Sequence, residues 1–515
     1  MQLTTLDLVV VVVYMALLSG IGIYFSRRQT SREEYLLGGR SMHWMLLGGS
    51  MMATLLSTIT FLSVPGEMMR YGIAYLSGII AMPLFVPVAN RVLIPVLRRL
   101  PITSVYEYLE KRFDVSFRSL ASFLFVLRTI IWMGLIIYTC SFAVAEITGW
   151  DLYFTIIATG LVTTFYTTAG GLRTVVWTDN LQLMILLGGA LAIPVLIGFS
   201  LGSGPATWWQ TFSEAGRTEI QTFSWDLTVR ITVVGIVMGN FFWNICTLGG
   251  DQVAVQRYLS CPDLSAARKS VWMFAGFNFA VMLALLFCGL SLFAFYASQS
   301  TAPVQAFQEE IAARADRVMP IFIVEELPAG VSGLLLAALL AAAMSSLSSG
   351  INSISGVVVS DFFQRFGLFK AQVRTLWADR AVSLLAGLVG IATATGTAVM
   401  ATRTDWNLVE LTGRLNHIFV GPLGVLFFAG ILFRRAGKQA ALLGFLAGTL
   451  ASLFICFGKE WFGMEKSLSF VWVVPLPFLV GLALAGLLAY CFPRPPKSSV
   501  QGLTLRKEGA AGRSN

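Results

Sequence analysis

Four serines occupy Ser345, Ser346, Ser348 and Ser349, in the run Ala341-Ala342-Ala343-Met344-Ser345-Ser346-Leu347-Ser348-Ser349-Gly350. On a helix Ser345, Ser348 and Ser349 fall at i, i+3 and i+4 and share a face, while Ser346 projects about 100° further round. Neutral hydroxyls and backbone carbonyls suit a monovalent hard cation, which needs several oxygens but not the charge of a divalent site. A close-packed small-residue interface would explain the alanines, though not the serines. A second group, Thr54, Ser57, Thr58 and Thr60, precedes Pro65-Gly66. That pattern fits a discontinuous helix near 53–66, whose freed carbonyls and N–H groups meet a cation and a solute. Hydroxyls bonded back to their own helix, or joining two helices, are the competing explanation.

Two charged residues stand out. Asp179 leads an apolar run, as a functional carboxylate of a membrane site would. It would equally serve as a helix N-cap, a role open to Thr178 as well. Arg128 lies inside the apolar stretch around Phe125-Val126-Leu127, where an arginine costs about 2.5–3.5 kcal/mol on insertion scales. It must face a cavity, an anionic solute or a carboxylate, and a structural ion pair is as compatible with the sequence as a substrate role. Arg91, nearer the end of its span, can snorkel.

These residues sit in a chain of 515 residues that is 56% hydrophobic and only 12% charged. That is half the charge of soluble domains and implies an all-α polytopic membrane protein. Nucleic-acid binding, disorder and an ordinary soluble enzyme are excluded on this ground. Thirteen transmembrane helices are expected, at about 6–26, 42–66, 73–97, 119–146, 152–169, 180–201, 228–248, 271–296, 329–362, 380–402, 417–434, 439–457 and 469–492. With the N-terminus outside and the C-terminus inside, cytoplasmic segments carry roughly three times as many Lys and Arg as outer ones, Arg112 and Arg257 among them. The net charge of +9 is then positive-inside bias. Leu6–Phe25 is followed, not preceded, by Arg27 and Arg28, so the first span does not resemble a cleaved signal. Residues 1–493 form a single transmembrane domain, and 494–515 are a cytoplasmic tail whose composition predicts disorder.

Six scattered cysteines and two histidines argue against a disulfide framework or a metalloenzyme core. No P-loop is present, so work comes from an ion gradient, or the protein is a channel or membrane enzyme.

The segments ATLLSTITFLSVPGE (53–67), ITSVYEYLEKRFD (102–114), YTTAGGLRTVVWTDNLQ (166–182), GDQVAVQRYLS (250–260) and AALLAAAMSSLSSGINSISGVVVSD (337–361) resemble, in order, those of the solute:sodium symporter family. The resemblance covers about the first 490 residues. It implies the leucine-transporter (LeuT) type of 5+5 inverted repeat, formed by spans two to six and seven to eleven. It also implies import of a small organic solute (a sugar, sugar acid or small organic anion) across the cell membrane, with Na+ as coupling ion, two per cycle. The first Na+ would be held by the carbonyls of Ala53, Leu56 and Ala342 and the hydroxyls of Ser345 and Ser346, the second by Asp179, Ser345, Ser348 and Ser349. Ser57, Thr60, Tyr75 and Asn244 match substrate-facing positions.

The match is incomplete where substrate is chosen. Thr60 stands where sugar transporters of the family carry glutamine. Trp132 stands where the sialic acid branch carries a carboxylate-gripping arginine, with Arg128 one turn earlier. Asn244 coincides with a sugar-contacting asparagine of the galactose branch. The expected partners are a small-molecule substrate and the lipid bilayer, with no nucleic acid and no obligatory protein partner. The rivals are a proton-coupled carrier using Asp179, a membrane transceptor, and an intramembrane enzyme. No HExxH or nucleophile elbow supports the enzyme.

Overall fold

A computed structural model describes residues 4–505, apart from Thr30, Ser57, 302–305, 308, 310–317, 368–375 and 402–415. The described residues fold into helices, labelled as follows: α1 (Thr5–Ser26), α2 (Trp44–Leu55), α3 (Thr58–Tyr71), α4 (Ile73–Leu97), α5 (Val115–Thr148), α6 (Leu152–Leu201), α7 (Val233–Gly250), α8 (Gln252–Leu259), α9 (Leu264–Gln299), α10 (Val331–Gln364), α11 (Leu376–Ala401), α12 (Val420–Leu432), α13 (Lys438–Phe462) and α14 (Phe470–Leu488). Among the described residues ten helices are long and apolar enough to cross a membrane, or eleven when the α2–α3 pair counts as one broken span.

Three departures from regular helix shape the centre. Between α2 and α3, Leu56 is extended (φ −85°, ψ 102°), and the pair bends by 63°. Between α7 and α8, Asp251 is extended (φ −99°, ψ 116°) and its side chain accepts the Val253 N–H, capping α8. Within α6, Gly171 takes φ 59° and ψ −159°, a region open essentially to glycine alone. A straight helix of 50 residues would run about 75 Å, more than twice a hydrocarbon core; Gly171 breaks it into two segments. The expected loop at 170–179 is therefore helical except at this residue, because one glycine makes the break.

α10 is the central post. It packs on α1, α2, α5, α6, α8 and α11, and its serines and alanines allow that close approach. Small residues act likewise at the periphery, where a Cβ on Gly444 of α13 would meet the Gly481 carbonyl of α14 at 2.5 Å. Arg112, expected at the cytoplasmic surface, is buried; it donates to the carbonyls of Gly430 (2.9 Å), Phe433 (2.9 Å) and Ala436 (3.0 Å) and so caps the end of α12.

Of the tail 494–515, expected to be disordered from composition, residues 500–505 pack on the bundle, and 506–515 lie outside the described residues. Val500 and Leu503 are buried, Tyr108 Oη donates to the Leu503 carbonyl at 3.0 Å, and Leu505 N–H donates to the Ile431 carbonyl at 3.0 Å. Two apolar side chains and an open helix-end carbonyl supply contacts that average composition conceals.

Candidate functional site

α2 ends beside the serine face of α10. The last carbonyls of a helix have no acceptor role left within it and carry partial negative charge. Here Ser345 Oγ lies 2.8 Å from the Ala53 carbonyl and 3.2 Å from that of Ala342. Ser346 Oγ donates to the Thr54 carbonyl at 2.8 Å, and Thr58 Oγ1 to the Leu339 carbonyl at 3.3 Å. Carbonyl and hydroxyl oxygens from both sides of the helix break thus converge in a buried patch, an arrangement able to replace the hydration shell of a monovalent cation.

Asp179 lies one helical layer away. It stands eight residues beyond Gly171, inside the second segment of α6, and is fully buried. It is no N-cap. Its Oδ2 accepts from Ser50 Oγ (2.6 Å), Thr54 Oγ1 (3.2 Å) and Ser349 Oγ (3.5 Å). Of the serines expected beside it, Ser349 alone bonds to it; Ser348 Oγ donates to the Ser345 carbonyl at 3.0 Å, and Ser345 serves the carbonyls of Ala53 and Ala342. The fourth neighbour is a residue expected at the cytoplasmic surface. Arg257 of α8 is wholly buried, with Nη2 3.5 Å from Asp179 Oδ2.

Beyond the α2–α3 break lies a cavity of about 240 Å³. Thr60, Tyr75, Arg128 and Asn244 all line it, with Trp132, Asp251, Asn240, Asn278, Asn416, His417 and Glu67. Ser57 lies outside the described residues. Arg128 Nη2 is 2.5 Å from Asp251 Oδ2, and Nη1 donates to Asn416 Oδ1 at 3.3 Å. The arginine is therefore both ion-paired and cavity-facing, which joins two readings that the sequence held apart. Asn244 Nδ2 donates to the Asn240 carbonyl at 2.8 Å, and its Oδ1 is buried without a hydrogen-bond partner among the described residues. Glu67 pairs with Arg230 at 3.0 Å, and the guanidinium lies over the Tyr71 and Phe470 rings. Asp251, Arg257 and Glu67 all fall inside motifs quoted above; what hid their roles is that each finds its partner far away in the chain.

A sequence model of the sodium:solute symporter family matches residues 35–448, four-fifths of the chain, including both broken helices and the serine face. The chain belongs to this family. Sodium-coupled monocarboxylate transporter 1 of Mus musculus is 31% identical over 460 residues, covering 88% of this chain and 73% of that protein. The sodium/sialic acid symporter NanT of Aliivibrio fischeri is 30% identical over 456 residues, covering 88% of each. A solved Na+-coupled sialic acid symporter, substrate-bound and outward-open, superposes with a TM-score of 0.83 at 28% identity, over 95% of this chain and 99% of that one. A nucleobase-cation-symport-1 family transporter shares the fold alone, with a TM-score of 0.53 at 14% identity. This symporter is thus a multi-pass membrane protein that couples sodium to the movement of a small organic solute.

Proposed function

We propose that this symporter imports a solute bearing a carboxylate, a sugar acid or small organic anion, with two Na+ per cycle by alternating access. Thirteen spans, in two inverted five-helix repeats with the N-terminus outside and the C-terminus inside, would carry it out within residues 1–493. The first Na+ binds the carbonyls of Ala53, Leu56 and Ala342 and the hydroxyls of Ser345 and Ser346. The observation that carries this is Ser345 Oγ, 2.8 Å from the Ala53 carbonyl near the end of α2 and 3.2 Å from the Ala342 carbonyl of its own helix. The second Na+ binds at Asp179 with Ser345, Ser348 and Ser349.

The solute occupies the cavity, with Ser57, Thr60, Tyr75 and Asn244 as polar contacts. Arg128 meets its anionic group. The monocarboxylate and sialic acid transporters that resemble this chain act on acids, and the cavity wall offers a guanidinium. Asp251 already neutralises Arg128, so a carboxylate must share or displace that pairing. This favours a solute able to supply further hydrogen bonds to the surrounding amides. The test is thermal stabilisation by sugars, amino acids and organic acids in sodium and in potassium. Stabilisation by an acid in sodium alone is expected. Stabilisation by neutral sugars alone would overturn the substrate class, and equal effects in potassium would overturn sodium coupling through these sites.

A further inference from the structure

The two oxygens of Asp179 are treated very differently. Oδ2 takes every contact described above, from Ser50, Thr54, Ser349 and Arg257. Oδ1 is equally buried and has no hydrogen-bond partner among the described residues. A buried carboxylate oxygen left so is costly, and the group that best removes the cost is a cation.

Arg257 is not loosely placed. Nη1 donates to the Val253 carbonyl of its own helix at 2.9 Å, Nε to Ser50 Oγ at 3.3 Å, Nη2 to Thr54 Oγ1 at 3.2 Å, and Nη2 also to Ser349 Oγ. The same three hydroxyls bond Asp179 Oδ2. A planar guanidinium with this many fixed donors holds one edge of its partner in place. The pair is electrically neutral before sodium arrives. Sodium at Oδ1 therefore makes the cluster +1, attracted by the carboxylate and repelled by the guanidinium behind it.

We infer that Arg257 is a positioning residue of the symport cycle: a built-in counter-cation that turns Oδ1 of Asp179 towards the incoming sodium and keeps that sodium weakly enough bound to be released. The inference rests on the reading of Asp179 as a sodium ligand. Sodium without Arg257 would face an uncompensated buried carboxylate and would bind tightly and leave slowly. Release into a low-sodium compartment is the step that Arg257 makes fast.

The experiment measures sodium binding to the purified full-length protein with radioactive sodium, together with the rate of sodium release, in wild type, Arg257→Gln, Arg257→Lys and Asp179→Asn. Arg257→Gln should lower the half-saturating sodium concentration of the Asp179 site by about tenfold or more, since a repelling charge is removed at short range, and should slow release by a similar factor. Arg257→Lys, which keeps the charge, should restore the wild-type values. A merely structural arginine predicts weaker sodium binding in both variants. If Arg257→Gln folds and binds sodium as wild type does, or more weakly, the inference falls. If it does not fold in choline chloride, purification in sodium chloride must rescue it, because sodium then replaces the missing cation; failure of that rescue also overturns the inference. Asp179→Asn separates the two layers. Unchanged sodium binding in that variant removes the second site itself, whereas a lost site beside an unaltered Arg257→Gln removes only the role given to Arg257.

Discussion

Ser346 and Arg128 illustrate how much a single side chain can decide in a dry bundle. Ser346 Oγ holds the Thr54 carbonyl at 2.8 Å, at the edge of the proposed first sodium site. Ser346→Ala leaves that carbonyl without its donor and removes a proposed sodium ligand. A loss of about 1–3 kcal/mol of stability is expected, together with a rise in half-saturating sodium that a thermal-shift titration reads directly. An unchanged titration would remove Ser346 from the site. Arg128→Gln is a harsher change. It strands the carboxylate of Asp251 against the cavity wall, and breaking such a pair costs about 3 kcal/mol or more. The double variant Arg128→Gln with Asp251→Asn removes both charges and should recover folding yield. It should still fail to bind the solute, as uptake and solute-induced stabilisation would show. Normal uptake in the double variant would make Arg128 a purely structural residue.

Breaks in the helices matter more than the helices themselves. Leu56 and Asp251 place extended backbone in the middle of the bundle, and Gly171 divides α6. A Cβ at Gly171 would stand 2.6 Å from Tyr35 Cδ2 and 2.7 Å from the Tyr35 carbonyl, in a backbone region other residues shun. Gly171→Ala should therefore destabilise by about 2 kcal/mol or more and shift the segment carrying Asp179. The checks are a lower thermal midpoint and altered sodium cooperativity in the same variant. A midpoint within error of wild type would show that the break tolerates a side chain. α8 has a comparable double duty. Asp251, its cap, pairs with Arg128 at the cavity, and Arg257 near its other end pairs with Asp179. Eight residues of helix thus join the proposed solute site to the proposed second cation site.

For the molecule as a whole, the number of ions sets what transport can achieve. A tenfold sodium gradient provides about 1.4 kcal/mol per ion, and 100 mV adds about 2.3 kcal/mol per charge. One sodium then supports roughly 500-fold accumulation of a neutral solute and two support roughly 10⁵-fold. For a monovalent anion the membrane potential opposes one charge, so these ceilings fall by about fifty-fold. In proteoliposomes under such gradients, two-sodium coupling predicts accumulation above the one-ion ceiling and uptake sigmoidal in external sodium. Asp179→Asn should return both to single-ion behaviour. Sodium bound only by the folded protein should also raise its stability by about 2.7 kcal/mol at a hundred times the dissociation constant, and potassium should not.

The membrane class, the helical architecture and the family were legible in residues 1–515 because they depend on local quantities: long apolar runs, hydroxyls at i, i+3 and i+4, and short motifs in a particular order. The helix break near 53–66 was legible in the hydroxyl run, which spans the extended Leu56; Pro65-Gly66 lie inside α3 and do not mark it. Ion pairs were not. Arg257 looked like an inner-surface charge, because a basic residue after an apolar run has that meaning in most chains; only the folded bundle brings it to Asp179, 78 positions earlier in the chain. Arg128 showed its cost in the sequence but not its partner, because the cost depends on depth while the partner depends on where Asp251 of α8 comes to lie. The docking of residues 500–505 was hidden likewise, for two apolar side chains need a surface made by Tyr108 and Ile431. What the sequence determined by itself is what neighbouring residues determine together. Which buried charges neutralise one another is decided by tertiary packing, since in a low-dielectric interior each charge must have a partner and the chain can supply it from any distance.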